Sequence, residues 1–286
     1  MLDLIPYQLA TGLFRASYYW LIASGLTLIF GVTRVINFSH AALFVLGGYV
    51  AISVFGATGN FWVAVAASSL IVGLVGVTIE VLLLRRLYKV DPLYQLLMTF
   101  AATLIINDAT KLIWGPASRS LTLPAELATP VRIGTLTVPA VIPLIISVAL
   151  GVVILLYYAL EKTFWGLKVQ ATWRDIAMAE ALRINSRSIF TTTFLLGSLL
   201  AGFGGATMVS FTPVAPGLGD HLIITAFIIV VIAGLGNLVG AYIASLIVGV
   251  AESLFIAFFP EVDILLIFAI MVAVLLVRPW GIFGER

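Results

Sequence analysis

Long apolar stretches separated by short polar breaks constrain the fold of this chain more than any other feature. The stretch from Val63 to Leu84 holds a single charged residue, and the stretch from Leu265 to Val277 holds none. Both are continuous, whereas the strands of a membrane β-barrel alternate apolar and polar residues. About 20 mainly apolar residues are needed for a transmembrane helix. The pattern therefore predicts an all-α, polytopic helical membrane protein.

The composition excludes a water-soluble fold. Of the 286 residues, 62% are hydrophobic and 10% are charged, compared with about 45–50% and about 25% in soluble domains. A soluble exterior needs more charge, so soluble enzymes and nucleic-acid-binding modules are excluded. The net charge is only +2, and the chain has two histidines and no cysteine. Neither disulfides nor a metal site are therefore expected.

Nine apolar segments are candidates for membrane spans. They are residues 16–33, 39–55, 61–84, 93–113, 139–160, 189–210, 221–233, 240–258 and 264–278. The break from Gly234 to Gly240 is rich in glycine, so the chain either crosses twice around it or dips into the membrane and returns. We therefore expect eight or nine spans with broken helices, in a single transmembrane domain covering residues 1–286.

The basic residues favour nine spans and indicate an orientation. If nine spans alternate, ten of the fifteen Lys and Arg residues fall on one side. They are Arg85, Arg86, Lys89, Lys162, Lys168, Arg174, Arg183, Arg187, Arg278 and Arg286. Basic loops stay in the cytoplasm, so the N-terminus lies outside and the C-terminus inside. The polar segment of about residues 115–138 is then external, and its alternating part around Gly134 predicts a small hairpin or loop.

Two regions share a pattern of a span, a polar break and a glycine-bearing helix. The first span leads through Asn37–His40 into a helix with Gly47, and the sixth leads through Gly219–His221 into a helix that ends at Gly234. Among nine spans the two halves would point in opposite directions. Inverted repeats with broken helices at the site are common in transporters. Chance similarity between apolar segments explains the pattern equally well.

Polar and glycine residues at the breaks are candidates for a substrate pathway. They are Asn37, Ser39, His40, Gly234 and Asn237. A helix that starts near His40 offers free N–H groups and a positive dipole to a carboxylate. Helix capping explains Asn37 and Ser39 at least as well, and a buried hydrogen bond explains His40. Gly234 and Asn237 also fit a simple helix break or close-packing site.

Three features inside the spans have mainly structural interpretations. Glu252 lies in an apolar run, where a carboxylate must be paired or must line a water-filled cavity. A hydrogen bond to a neighbouring helix is the favoured interpretation. The sequence from Arg15 to Trp20 is interpreted as an interfacial aromatic belt. The glycines of residues 202–205 predict a face for close helix contact.

A charged segment of about residues 161–188 interrupts this apolar chain. Its core from Ala171 to Asn185 favours a single short amphipathic helix, which Thr172 or Asp175 would cap at its start and Asn185 at its end. Such a helix either lies on the lipid surface or docks into a groove on a soluble partner. Its mixture of acidic and basic residues favours docking.

Seven motifs, in order along the chain, carry a resemblance to a known family. They are Gly25–His40, Gly47–Val50, Gly166–Ala171, Ala177–Asn185, Ala233–Gly240, Gly249–Leu254 and Arg278–Gly284. Together they are similar to the permease subunits of bacterial ATP-binding-cassette importers for branched-chain amino acids, the LivH type. Two positions depart from that pattern: Arg183 stands where relatives often have glycine, and Ala41 stands where glycine often follows the histidine.

The resemblance implies a passive translocation subunit in the inner membrane. In such permeases the charged segment is the coupling helix, here carried by Arg174, Asp175, Ile176, Ala177, Ala179, Glu180, Ala181 and Leu182. The implied partners are a paralogous second permease chain, two ATP-binding subunits, an external substrate-binding protein and the lipid bilayer. The chain lacks a phosphate-binding loop, so ATP and its hydrolysis belong to the partners, and no cofactor is expected here.

The substrate stays open at this point. The resemblance implies branched-chain or other hydrophobic amino acids, while related importers take urea, amides or aromatic acids. An ion-coupled secondary transporter is the alternative from another class. It would transport without ATP, although the chain of carboxylates expected of a proton relay is missing from the sequence.

Overall fold

The computed structural model describes residues 4–133, 136–259 and 263–284. These residues form a helical bundle with one small hairpin. The helices are α1 (Leu4–Thr33), α2 (Ser39–Thr58), α3 (Phe61–Leu82), α4 (Pro92–Trp114), α5 (Ala125–Ala128), α6 (Val141–Lys162), α7 (Phe164–Arg174), α8 (Ile176–Ala181), α9 (Ser186–Met208), α10 (Leu218–Ala233), α11 (Leu238–Ile256) and α12 (Asp263–Val277). A 3₁₀ turn covers Leu84–Arg86.

The long helices confirm a polytopic helical membrane protein. Among the described residues, seven helices are long and apolar enough to cross a membrane. They are α1, α2, α3, α4, α6, α9 and α11. Helices α10 and α12 are also apolar, but they have 16 and 15 residues, fewer than the ~20 of a full span. Whether these two complete a set of nine spans stays a prediction.

The first helix begins at Leu4, twelve residues before the predicted start of the first span at residue 16. Polar residues in its early turns contact α11. The Thr11 hydroxyl lies 2.9 Å from the Ser253 hydroxyl, and Arg15 pairs with Glu252 at 2.8 Å. Because α11 satisfies these groups, they do not end the helix, and the predicted boundary was wrong.

The prediction of an interfacial aromatic belt was also wrong. Tyr18, Tyr19 and Trp20 are buried among other helices, and the Trp20 ring meets Tyr242 of α11 edge to face at 5.5 Å. Belt residues need a wet side for their polar atoms. The Tyr19 hydroxyl instead donates to Glu252 at 2.7 Å, which confirms the structural hydrogen bond that the sequence analysis favoured for that carboxylate.

The bundle is centred on α1 and α9. Helix α1 packs most extensively on α11, and α9 on α3 and α2. A Cβ atom on Gly47 of α2 would lie 2.7 Å from the Gly202 carbonyl oxygen of α9. This approach confirms the predicted glycine contact face. Helix α1 thus pairs with α11 from the second part of the chain, and α9 pairs with α3 from the first part. This pairing is consistent with two related halves. The inverted repeat stays a prediction.

The polar segment of residues 115–138 contains the predicted hairpin. Strands β1 (Pro130–Ile133) and β2 (Leu136–Pro139) pair in antiparallel register, Val131 opposite Val138. The same segment is tied to the connection after α9, because the Arg119 amide donates to the Val214 carbonyl at 2.8 Å. Gly134, the predicted turn glycine, and Arg286 lie outside the described residues.

Candidate functional site

One end of the bundle gathers the charged segment and three other connections, and we call it the charged end. Arg34, after α1, donates from Nη2 to the Trp173 carbonyl at 3.3 Å. The Trp173 indole lies 3.4 Å from the position of a Cβ on Gly236. The Asn237 Nδ2 donates to the Phe283 carbonyl at 3.2 Å. The connections after α1, α6, α10 and α12 therefore meet at one end, as nine alternating spans would require.

The charged segment forms two short helices, α7 and α8, where the sequence predicted one. Extended backbone at Asp175 (φ −152°, ψ 107°) separates them. The Asp175 carboxylate accepts from the Met178 amide at 3.0 Å, so it caps α8 as predicted. Asn185 does not end this helix. Its Oδ1 accepts from the Ser188 amide at 3.2 Å and caps the start of α9, which corrects that part of the prediction.

Helix α8 presents most of the predicted coupling residues to solvent. The exposed ones are Arg174, Asp175, Ile176, Ala177, Glu180, Ala181 and Leu182. Ala179, at 1% exposure, faces the chain itself. Met178 was not singled out by the sequence analysis, yet it is 60% exposed beside Leu182 at 68%. Their spacing of four residues on one helical face is the signal that could have revealed this apolar pair.

The end of α8 has a backbone conformation that favours glycine at position 183. Arg183 has a left-handed backbone (φ 62°), and the Ile184 amide bonds the Ala179 carbonyl at 3.0 Å. This arrangement is a Schellman C-cap, for which glycine is the preferred residue. The Ser186 hydroxyl of α9 donates to the Glu180 carboxylate at 2.7 Å. Helix α8 is thus fixed directly to the first turn of α9.

A buried carboxylate ties α9 to α3 at the same end. Glu80 is fully buried and receives Arg85 Nη2 at 2.9 Å and the Thr191 hydroxyl at 2.9 Å. The Tyr88 hydroxyl also donates to it at 3.3 Å. Burial, reinforced by the Glu80 carboxylate, raises the pKa of the Tyr88 phenol, so it remains a donor. The pairing of Glu80 with Arg85, five residues apart at a span end, was not identified from the sequence.

A cavity of about 390 Å³ lies between α1, α6, α7 and the connection from α10 to α11. Its wall includes Trp173 of α7 and Asn237, one of the predicted pathway residues. Trp20 and Thr27 of α1 also line it, and the Trp20 Nε1 and Thr27 Oγ1 atoms are buried without a hydrogen-bond partner among the described residues. The charged segment therefore forms part of the wall of this cavity.

The break between α1 and α2 lies inside the bundle. The Phe38 amide donates to the Thr99 hydroxyl at 3.2 Å, and that hydroxyl donates to the Ile36 carbonyl at 3.2 Å. Thr99 is about 10 Å along α4 from its first residue. The Asn37 Oδ1 accepts from the Ser39 amide at 3.1 Å and hydroxyl at 2.6 Å. Asn37 thus holds the first turn of α2, while its Nδ2 has no partner among the described residues.

His40 is packed where the starts of two helices meet. Its Nε2 lies 3.1 Å from the Ile22 carbonyl oxygen, and a Cβ on Gly25 would lie 2.7 Å from its Cε1. Next to it, a Cβ on Gly219 of α10 would lie 3.1 Å from the Ala41 carbonyl oxygen. The first turns of α2 and α10 are therefore in close contact inside the bundle, with little space around the imidazole.

The predicted pathway residues fall into two groups. Asn37, Ser39 and His40 lie at the start of α2. Gly234 and Asn237 lie at the charged end, where a Cβ on Gly234 (φ 96°) would meet the Gly284 amide nitrogen at 2.5 Å. Helix α10 connects the two groups, because it starts beside Ala41 and ends at Ala233.

A bundle of apolar helices, with broken helices inside it and a short exposed helix at one end, defines an integral membrane transport protein. The chain belongs to the family described as the permease component of branched-chain amino acid transport systems, whose sequence profile matches residues 8–275. This confirms the resemblance drawn from the seven motifs.

The relatives are similar over nearly the whole chain. The LivH permease protein of the high-affinity branched-chain amino acid transport system of Salmonella typhimurium is 30% identical, over 97% of this chain and 95% of its own length. The BraD protein of Pseudomonas aeruginosa is 28% identical with the same coverage. A probable LivH of Methanocaldococcus jannaschii is 27% identical, over 92% and 88%. No solved structure matches the chain.

Proposed function

We propose that this chain is the translocation subunit of an ATP-binding-cassette importer for branched-chain and other hydrophobic amino acids. The observation that carries the proposal is α8, a six-residue helix that presents exposed Met178, is followed directly by exposed Leu182 and is bonded to the first turn of α9. A short, rigidly attached apolar helix suits insertion into a groove on a partner. The substrate follows from the similarity to permeases of branched-chain amino acid transport systems.

The partners follow from the same proposal. Two ATP-binding subunits dock on the charged end, one of them on α8, and supply ATP binding and hydrolysis. A paralogous second permease chain completes the pathway, and a substrate-binding protein delivers the amino acid from outside. The chain itself is non-catalytic and works as a single transmembrane domain. The charged end is cytoplasmic, and the N-terminus is outside the inner membrane.

The contacts of the charged segment suggest how an ATPase movement reaches the pathway. Motion of α8 is transmitted to α9 through the bond between Glu180 and Ser186. Motion of α7 is transmitted through Trp173, which contacts Arg34 and packs near Gly236. The break at Gly234–Asn237 acts as the hinge of α10. The other end of α10 would then move against α2 at Asn37, Ser39 and His40 and open or close access.

The proposal is tested by replacing the apolar pair of α8. Met178→Asp combined with Leu182→Asp should abolish co-purification of the ATP-binding subunits and ATP-driven leucine uptake, because charge replaces the exposed apolar contact. The bundle should remain folded, since both side chains are exposed. The matched control is Phe258→Asp with Phe259→Asp at the opposite end, where both residues are 58% exposed.

The outcomes separate the candidate functions. ATP-binding subunits that still co-purify with the α8 variant would overturn the docking assignment. Leucine uptake by the isolated chain in vesicles, driven by an ion gradient without ATP, would show a secondary transporter. Uptake that is inhibited by urea, short amides or aromatic acids, but not by leucine or valine, would retain the importer assignment and change the proposed substrate.

A further inference from the structure

The cavity between α1, α6 and α7 reaches the outer surface of the bundle. Leu156 and Tyr157 of α6 both line it, and Leu156 is buried whereas Tyr157 is exposed. Ile154, one turn before Tyr157, is also exposed, on the apolar outer face of α6. In a membrane span such a face is in contact with lipid, because it has no polar groups to offer to water. The cavity therefore borders on the lipid-facing surface of α6.

The same cavity is long and narrow, and its buried wall is aliphatic. Along α1 the wall extends from Trp20 to Val32, which is a length of about 18 Å at 1.5 Å per residue. A volume of about 390 Å³ over that length gives a mean cross-section of about 22 Å². The buried aliphatic residues of the wall are Leu28, Val32, Leu156 and Val169. This shape suits one extended hydrocarbon chain, whereas a single amino acid would leave most of the length empty.

Helix α7 lines the charged end of the cavity and has an exposed apolar face of its own. Val169 and Trp173 line the cavity, while Phe164 and Leu167 are exposed on another side of the helix. A helix with exposed aromatic and aliphatic side chains beside basic ones suits the interfacial layer of a bilayer. The two interpretations of the charged segment therefore apply to different helices, the lipid surface to α7 and a protein partner to α8.

The polar groups of the wall lie where a lipid has its own polar groups. Gln170 Nε2 donates to the Leu160 carbonyl at 2.8 Å and to the Glu161 carboxylate at 3.3 Å. Arg174, one turn after Gln170, is exposed and has no hydrogen bond or ion pair among the described residues. A guanidinium binds two phosphate oxygens at once. The Thr27 hydroxyl lies about 9 Å before the end of α1 and is buried without a partner among the described residues.

We propose that this cavity binds a membrane phospholipid, with one acyl chain between α1 and α6 and the phosphate on Arg174. The Thr27 hydroxyl donates to an ester carbonyl, which lies between the phosphate and the chain in such a molecule. The bound lipid holds α7 against α1 and α6 at the membrane surface. This inference goes beyond the proposed function, because the binding needs neither ATP nor a partner subunit.

Two neighbouring valines of α6 provide a test position and its matched control. Val152 and Val153 are both half-buried, and Val153 lines the cavity whereas Val152 is not part of the wall that the described residues form. Each is replaced by cysteine in the full chain, which has no native cysteine, and the protein is purified in detergent. Phosphatidylglycerol should slow the reaction of Val153→Cys with N-ethylmaleimide by a factor of 1 + [L]/Kd, about tenfold at 10 Kd. The reaction of Val152→Cys should not change.

Two fragments of the lipid assign its two contacts. Dioleoylglycerol, which keeps the chains but lacks the phosphate, should protect Val153→Cys less than phosphatidylglycerol does. Glycerol 3-phosphate, which has no chain, should not protect it. In Arg174→Gln the protection by phosphatidylglycerol should fall to that by dioleoylglycerol, and Arg174→Lys should restore part of the difference. The comparison of the three compounds on native Arg174 is decisive even if Arg174→Gln fails to fold.

Three results would overturn the inference. Equal protection of Val152→Cys and Val153→Cys would show general coating by lipid and no site in the cavity. Protection by glycerol 3-phosphate as strong as that by phosphatidylglycerol would show a site for free phosphate. Protection by leucine, but not by phosphatidylglycerol, would make the cavity part of the substrate pathway. Leucine uptake by the complete importer is a separate measurement, so the proposed function and the lipid site can each fail alone.

Discussion

Arg183 adopts a left-handed backbone conformation, which is unfavourable for a residue with a side chain. The left-handed conformation there closes α8 and positions the Ile184 amide on the Ala179 carbonyl. For a residue with a Cβ this conformation costs roughly 1–2 kcal/mol, whereas glycine adopts it without that steric cost. The sequence alone flagged the position only through the family resemblance, and the backbone angle supplies the physical reason.

Glycine at position 183 should therefore strengthen the end of α8. Arg183→Gly and Arg183→Ala both remove the side chain, but only glycine removes the strain. We expect the first to be more stable locally by about 1 kcal/mol, which is roughly a fivefold difference in an equilibrium constant. Hydrogen exchange of a peptide covering residues 176–186 measures this difference. Equal exchange rates in the two variants would contradict the assignment of a C-cap.

Single residues were predicted well where their chemistry permits one solution. Glu252 in an apolar helix required a partner, and the structure supplies Arg15 and Tyr19. Asp108 and Lys111, three residues apart on α4, also pair, at 3.0 Å. Trp20 was misplaced, because an aromatic residue is equally suited to a membrane interface and to a helix contact.

The elements of the charged segment depend on one capping residue. Asp175 ends α7 with extended backbone and starts α8 with its side chain. The sequence shows helix-forming residues on both sides of Asp175, so it predicted a single helix in this segment, with Thr172 or Asp175 as the cap at its start. The break arises because α7 and α8 each satisfy separate contacts, Trp173 with Arg34 and Glu180 with Ser186. Tertiary contacts thus override the local preference for one helix.

Removing the cap should loosen α8 and leave the neighbouring helices unchanged. Asp175→Ala deletes the acceptor of the Met178 amide, which costs about 1 kcal/mol at an N-cap. Amide exchange within residues 176–181 should accelerate about fivefold, with no change in α9. Asp175→Asn keeps the acceptor and is the control. The same exchange rates in the Ala and Asn variants would show that the cap does not stabilise α8.

The helix starts inside the bundle illustrate a second limit at the level of elements. Asn37, Ser39 and His40 were recognised as a polar break, and capping by Asn37 and Ser39 was one of the two interpretations of those residues. Their depth was not predictable, because it depends on Thr99 of α4. Nor was the contact of α2 with the first turn of α10 at Gly219, since nothing local links residues so far apart in the chain.

For the molecule as a whole, the distribution of charge predicts the orientation in the membrane. Lys89→Cys and Arg278→Cys at the charged end should react with a membrane-impermeant maleimide only after cells are opened. Thr212→Cys lies next to Val214, which bonds Arg119 at the opposite end, and should react in intact cells. Basic loops retained in the cytoplasm are the physical reason.

The labelling pattern also tests the number of spans. The reverse pattern would invert the proposed orientation. Labelling of all three thiols from the same side would contradict nine alternating spans, because an odd number of crossings separates residue 212 from residue 278 in that arrangement. The native chain, which has no cysteine, controls for reaction at other sites.

The sequence by itself determined that this protein lies in a membrane and where along the chain its charged segment lies. Apolar runs without charge can only be buried in lipid or in protein, and scarce charges must gather where water is present. Only the tertiary structure decided which buried charges pair, where α7 ends and α8 begins, and which cavities form. These depend on distances between helices that are remote in sequence, such as α1 with α11 and α3 with α9, and local composition contains no record of those distances.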